Sequence, residues 1–534
     1  MERRDFVGTM GALGAGMMMR PRNERPVEGV AGQPATAFAF EEATVADLQA
    51  RMAKGTLTSR ALTQAYLTRI AGIDKAGPTL RSVIEVNPDA LAIAAERDAE
   101  RQAGKVRGPL HGIPVLVKDN LDTADKMQTT AGSLALVGAP APKDSFVVEK
   151  LREAGAVLIG KTNLSEWANF RSTHSSSGWS ARGGQVKHAY VLDRNPCGSS
   201  SGSGTAIAAN LATIGIGTET DGSIICPSAI GGIVGLKPTV GLVSRAGIIP
   251  ISASQDTAGP MCRTVRDTAL VLQAIAGRDA RDAATQAAPA TVPDYLSGLR
   301  PDALRGARIG VARNLAGFHA KVDAVFEQAL DALRRAGAVL IDPVTVPNVG
   351  KYDDAENIVL QYEFKDGLNA YLASRGSTVK HRTLSALIAF NRNDAAREMP
   401  WFGQEIFEQS EARGPLSDRT YVEALATCRR LSRTEGLDAL FAQQTLDAIV
   451  APSNGPSWTT DLVNGDHFGG GNTSVAAVAG YPSLTVPMGY TSELPLGISF
   501  TGLAWTEARL LAFGYAFEQA TKARKAPRFL RTIG

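Results

Sequence analysis

Between Cys197 and Ser223 the chain reads CGSSSGSGTAIAANLATIGIGTETDGS, and this stretch constrains the fold more than any other. A serine–glycine loop runs into small helix-forming residues, then into an apolar strand at 214–217, then into a second glycine turn that ends on Ser223. One helix–strand unit therefore ties together two hydroxyl-bearing turns, at Ser199 and Ser223, 24 positions apart. Serines on tight glycine turns can offer one substrate both a nucleophile and free backbone N–H groups. The stretch lacks a base. Upstream, HGIPVLVKDN (111–120) ends an apolar strand pattern on Lys118, which sets a basic group where strand meets loop.

Three shorter motifs compete for the same residue types. Gly198 to Gly202 fits GxSxG with Ser200 at its centre, but a nucleophile elbow needs a strand running straight into the turn. Here Asp193-Arg-Asn-Pro196 precedes it, and proline cannot donate to a central ladder. Gly198 to Thr205 resembles a phosphate loop, but Gly204 stands where the lysine is required. Ser377 and Lys380 fit SxxK without a KTG companion, a four-letter pattern expected by chance in a chain of this length.

Along the chain, Thr44 and Asp47 form a capping box that opens a helix over 45–52. A second helix opens at Ser59, with Leu62, Tyr66, Ile70 and Ile73 at helical spacing. A helix at 146–154, Gly155 and a buried strand at 156–159 follow. The unit at 322–341, with Gly337 as its stop, repeats that design. Alternation of this kind predicts an α/β protein with a mixed or parallel sheet covered by helices. Residues 278–305, rich in alanine, aspartate and proline, are expected to cross the surface. Residues 350–430 read as helical, with aromatic residues that mostly belong to a core and partly frame an entrance.

The 56 basic side chains barely outnumber the 53 acidic ones, so nothing marks a nucleic-acid surface. Six scattered histidines and four cysteines, at 197, 226, 262 and 428, show no metal-ligand spacing; the cysteines are read as buried free thiols in preference to a disulfide, which the sequence allows without requiring. No metal or organic cofactor is implied. Arg3 and Arg4 before the short apolar run 7–19 resemble a twin-arginine export signal, followed by a Pro/Gly linker; residues 1–37 are assigned to this leader. The apolar run is too short to span a bilayer, which takes about 20 residues. The expected protein is periplasmic or secreted, monomeric, and without stable membrane association.

HGIPVLVKDN, PCGSSSGSG and GTETDGSIICPSAIGGIVGLKPTVGLVSRAG together resemble the amidase-signature family, densely over 110–264 and more thinly from residue 44 to the end. The resemblance implies one large α/β domain over 40–534, a central mixed sheet with helices on both faces. It also implies a catalytic set of Lys118 as base, Ser199 as a bridging serine after a cis peptide bond, and Ser223 as nucleophile. The backbone N–H groups of Thr220, Asp221, Gly222 and Ser223 would form the oxyanion hole, and Ser200 would support the set. Glu219 and Asp221 depart from the commoner GTDTGGS, and Cys197 and Ser201 replace usual glycines. These departures resemble the bacterial peptide amidase branch, which hydrolyses C-terminal carboxamides. Glu219 and Asp221 are read as structural. The expected substrate is a peptide amide, with small aliphatic or aromatic amides as the alternative.

Overall fold

The structure, a computed structural model, describes residues 38–533; the proposed leader, residues 1–37, lies outside them. The larger of two compact units spans Glu42–Gly534, and its elements are given for the described residues. Its thirteen strands are β1 (Val83–Val86), β2 (Pro114–Lys118), β3 (Val157–Thr162), β4 (Trp179–Ser180), β5 (Gly184–Gln185), β6 (Ile214–Glu219), β7 (Val234–Lys237), β8 (Thr257–Cys262), β9 (Arg308–Ala312), β10 (Val339–Val344), β11 (Ala448–Pro452), β12 (Ser483–Thr491) and β13 (Leu494–Thr501). Eleven form one sheet in the order β1-β3-β2-β6-β8-β7-β12-β13-β11-β9-β10, and β4 and β5 pair separately. The sheet is mixed. β3, β2 and β6 run parallel, as do β11, β9 and β10, and antiparallel pairs join the two groups.

Helices cover both faces. On β12, Leu484 and Val486 meet Gly514 of the helix Glu507–Thr521, while Thr485 points to the side where Ala229 of the helix Ile225–Ile230 packs. Alternate side chains of a strand leave opposite faces of its sheet, so the two helices lie on different sides.

Local sequence explains most element boundaries. Thr44 accepts the Asp47 N–H, and the Asp47 carboxylate accepts the Thr44 N–H in return, starting the helix Val45–Ala53. The two similar helix–Gly–strand units both form, as Phe146–Glu153 with β3 and Ala320–Arg335 with β10. In each, the glycine takes a positive φ, 79° at Gly155 and 92° at Gly337. Their burial differs: β3 is buried throughout, whereas β10 is largely open, because it ends the sheet and has a neighbour on one side only. The 350–430 stretch is helical as expected, led by Asp353–Ser374 and Arg419–Arg429. Phe364, Leu368 and Phe407 from this stretch pack against Trp167, Ile249 and Ile251, so the helical segment closes over one end of the sheet.

Candidate active site

β2, β3 and β6 are adjacent and parallel, and the sequence-predicted residues gather at their C-terminal ends, the usual location for chemistry in such sheets. Lys118 is the last residue of β2 and Thr218 the penultimate residue of β6, in neighbouring parallel strands. The Lys118 side chain is wholly buried. Its Nζ contacts Ser199 Oγ at 2.8 Å, Thr218 Oγ1 at 2.9 Å and Thr218 O at 3.2 Å.

A carbonyl oxygen can only accept, and Thr218 Oγ1 also accepts from Asn120 Nδ2 at 2.9 Å, so the amine donates to both Thr218 atoms and its third position faces the Ser199 hydroxyl. Burial favours the neutral amine, pushing the Lys118 pKa down to about 7 against the upward pull of the Asp256 and Glu219 carboxylates.

Ser199 follows a cis peptide bond from Gly198, as the family resemblance implied. Ser200, next in the chain, links the site in two directions. Its hydroxyl donates to Thr218 O at 3.0 Å, and its N–H donates to Ser223 O at 3.2 Å. The two serine turns are thus joined by a direct main-chain hydrogen bond. The sequence reading brings Lys118, Ser199, Ser200 and Ser223 into one site. Ser377 and Lys380 lie exposed, away from it.

The turn 220–223 has the donors an oxyanion hole needs. Among the described residues no acceptor takes the N–H of Asp221, Gly222 or Ser223, whereas Glu219 Oε2 accepts the next two, from Ile224 at 2.7 Å and Ile225 at 2.9 Å. Glu219 therefore anchors the start of the helix Ile225–Ile230. Asp221 Oδ2 accepts the Ser474 hydroxyl at 2.5 Å, which ties the turn to the helix Thr473–Ala479. Gly222 holds φ at 75°, and a Cβ there would come within 3.0 Å of Thr473 Oγ1, so the turn requires glycine at that point.

The structure corrects the cysteine assignment. Cys262 and Cys428 are buried free thiols, but Cys197 and Cys226 form a disulfide, with Cα atoms 6.1 Å apart. The bond joins the residue before the Gly198–Ser199 peptide to the helix that follows Ser223. Cys197 has φ 57°, a backbone suited to the glycine it replaces, so the substitution keeps the left-handed turn and adds a tether. No spacing rule links two cysteines 29 positions apart, and only the fold brings them together.

Sequence reasoning also missed Asp256. Its carboxylate accepts the Thr220 hydroxyl at 2.6 Å and the Ile251 and Ser252 N–H groups at 2.8 and 2.9 Å. Burial pushes its pKa up to about 6. A cavity of about 20 Å³ lies between Asp256, Ser199 and Thr220, walled by Ile248, Ile249 and Ile251. That is room for one water molecule. Asp256 sits in no chemical motif of its own; a loop contributes it from 33 positions beyond Ser223.

A buried Lys–Ser pair beside a second serine on a donor-rich turn holds the kinds of group that acyl transfer uses. Residues 61–511 match the amidase family, and the chain belongs to that amidase-signature family. It is 43% identical over 503 residues to a protein of Arabidopsis thaliana named "Probable amidase", covering 92% of this chain and 93% of that one. Among solved structures, the native peptide amidase from Stenotrophomonas maltophilia superposes with TM-score 0.89 at 55% identity, covering 92% of this chain and 99% of that one. An amidase family protein from Bacillus anthracis superposes with TM-score 0.83 at 38% identity, covering 91% and 92%. The protein is a hydrolase acting on amide bonds.

Proposed function

We propose that this amidase removes the C-terminal carboxamide of peptides, releasing ammonia and leaving a free carboxylate, with Lys118, Ser199 and Ser223 as its catalytic set. The observation that carries the reading is the 2.8 Å contact between a wholly buried lysine amine and Ser199 Oγ, on a turn bonded to that of Ser223.

The chemistry proceeds in two halves. Ser223 Oγ attacks the carboxamide carbon and passes its proton to Ser199, which passes its own to the Lys118 lone pair. The oxyanion that forms is met by the N–H groups of the 220–223 turn. The C–N bond breaks as the nitrogen regains a proton along the same relay, and ammonia leaves. Water, deprotonated through Ser199 by Lys118, then attacks the acyl-Ser223 ester, breaks its C–O bond and restores both serines.

Two further observations support the finer points. The likeness to the peptide amidase of Stenotrophomonas maltophilia supports peptide amides as substrates. The Cys197–Cys226 disulfide supports export, since disulfides persist in oxidising compartments. Replacing Arg3 and Arg4 with lysine should then hold the precursor in the cytoplasm; normal delivery would contradict export by the twin-arginine route.

The test of function is ammonia release from an N-blocked dipeptide amide, set beside acetamide and benzamide. The peptide amide should be the best substrate, with amide converted to acid and no internal fragment by mass spectrometry. Preference for acetamide or benzamide would assign the enzyme to small amides, and internal cleavage would contradict the proposal outright.

A further inference from the structure

A cleft of about 1160 Å³ that carries aromatic side chains opens along the loop bonded to both serine turns. The loop 454–472 supplies most of its lining, completed by Trp401 and by Phe318, which packs at Gly470. The loop is fixed to both serine turns. On one side, Ser457 Oγ donates to Asn195 O at 2.6 Å, and the Asn195 side chain accepts the Cys197 N–H at 2.8 Å. On the other, the loop runs into Thr473, packed at Gly222, and Ser474, bonded to Asp221. Trp458 rests on the Cys197–Cys226 disulfide, and Phe468 stacks edge-on to it with ring centroids 5.8 Å apart.

The carboxylates and the Arg194 guanidinium of this cleft are already engaged. Asp466 accepts from the Ser177 N–H, Asn195 Nδ2 and Trp458 Nε1, and Arg194 bonds Thr459. The apolar groups are left open: Trp401 is 45% exposed and Val463 78%. Exposed apolar surface gathered around one concavity marks a binding site rather than ordinary surface.

We propose that this cleft receives the acyl part of the peptide, taking apolar and aromatic side chains of residues N-terminal to the carboxamide, with Phe318 and Trp401 as specificity-determining residues. The inference rests on the peptide-amide reading above. A cleft of this volume is far larger than acetamide needs and matches a ligand of dipeptide size or more. Its tethers place it next to both turns, so a peptide lying in it keeps its terminal amide at the turns while ammonia leaves without passing a further residue through.

The test uses the full chain and N-acetyl dipeptide amides with phenylalanine, leucine, alanine or glutamate before a C-terminal alaninamide, with acetamide as reference. The unaltered enzyme should prefer phenylalanine and leucine over alanine and glutamate by about tenfold or more in kcat/KM. Phe318→Ala with Trp401→Ala should erase that preference and leave acetamide turnover and thermal unfolding in place. Val463→Glu, at an open position, should weaken the phenylalanine and leucine substrates without touching the fold. The inference is overturned if the preference survives both variants within about twofold, or if acetamide turnover falls in parallel with peptide turnover. If acetamide is hydrolysed and no peptide amide is, the underlying reading fails and this inference falls with it.

Discussion

Lys118 and Lys161 stand in neighbouring parallel strands, β2 and β3, and both side chains are wholly buried, yet they face different partners. Lys118 meets the hydroxyl of Ser199. Lys161 donates to Leu121 O at 2.5 Å and Thr129 Oγ1 at 2.9 Å, and the Thr129 hydroxyl is itself spent on Leu121 O. Burial pushes both amines down in pKa. Four carboxylates, Asp119, Asp122, Asp125 and Glu85, pull Lys161 back up, whereas Asp256 and Glu219 act on Lys118. Desolvation alone does not make a base. A base also needs a partner that can hand it a proton, and of these two lysines Lys118 is the one in contact with a serine hydroxyl.

The comparison can be broken at several points. The largest effect is expected at the serines: Ser223→Ala should lower kcat by about 10³–10⁶, with thermal unfolding nearly unchanged. Labelling by an active-site serine reagent at Ser200 or Ser377 instead would reassign the nucleophile. Lys118→Arg should lower kcat by about 10²–10⁴, because arginine stays charged and cannot accept a proton. Retention of most activity in that variant would place the base elsewhere.

Lys161→Met sharpens the contrast. It should cost about 3–5 kcal/mol of stability, read from denaturant unfolding, by taking the buried donor from Leu121 O and Thr129 Oγ1 and one of the counter-charges near Asp119 and Asp122. Activity per folded molecule should hold, and a loss matching that of Lys118→Arg would erase the distinction between the two lysines. The smallest effect concerns the tether. Cys226→Ser opens a cross-link between residues 29 apart, worth about 3–4 kcal/mol. Activity should fall only a few-fold at temperatures where the variant remains folded. Complete inactivation of a folded variant would make the disulfide part of the catalytic geometry.

Much of this contrast was legible in the sequence on one side only. The strand ending on Lys118, the helix–strand unit joining Ser199 to Ser223 and the helical 350–430 stretch depend on local patterns, and each formed as read. Lys161 sits in GKTN, which has no feature to separate a buried lysine from a solvated one. Its burial follows from β3 lying inside the sheet. Asp256 and the Cys197–Cys226 pair are likewise products of long-range packing. The near-copy of the β3 unit at β10 shows the same limit: one local code gave a buried strand and an edge strand, because position in the sheet is set by the whole chain. The aromatic loop 454–472 carries no motif, and its glycines and asparagines read only as turn.

The most direct test of the central claim, that neutral Lys118 is the base, is the pH dependence of kcat/KM. The neutral amine prevails above its pKa, so activity should rise with pH through a single limb near 7 and level off above it. The same midpoint should appear in Lys161→Met. A profile flat from well below to well above pH 7, or a midpoint that moves when Lys161 is replaced, would contradict the account.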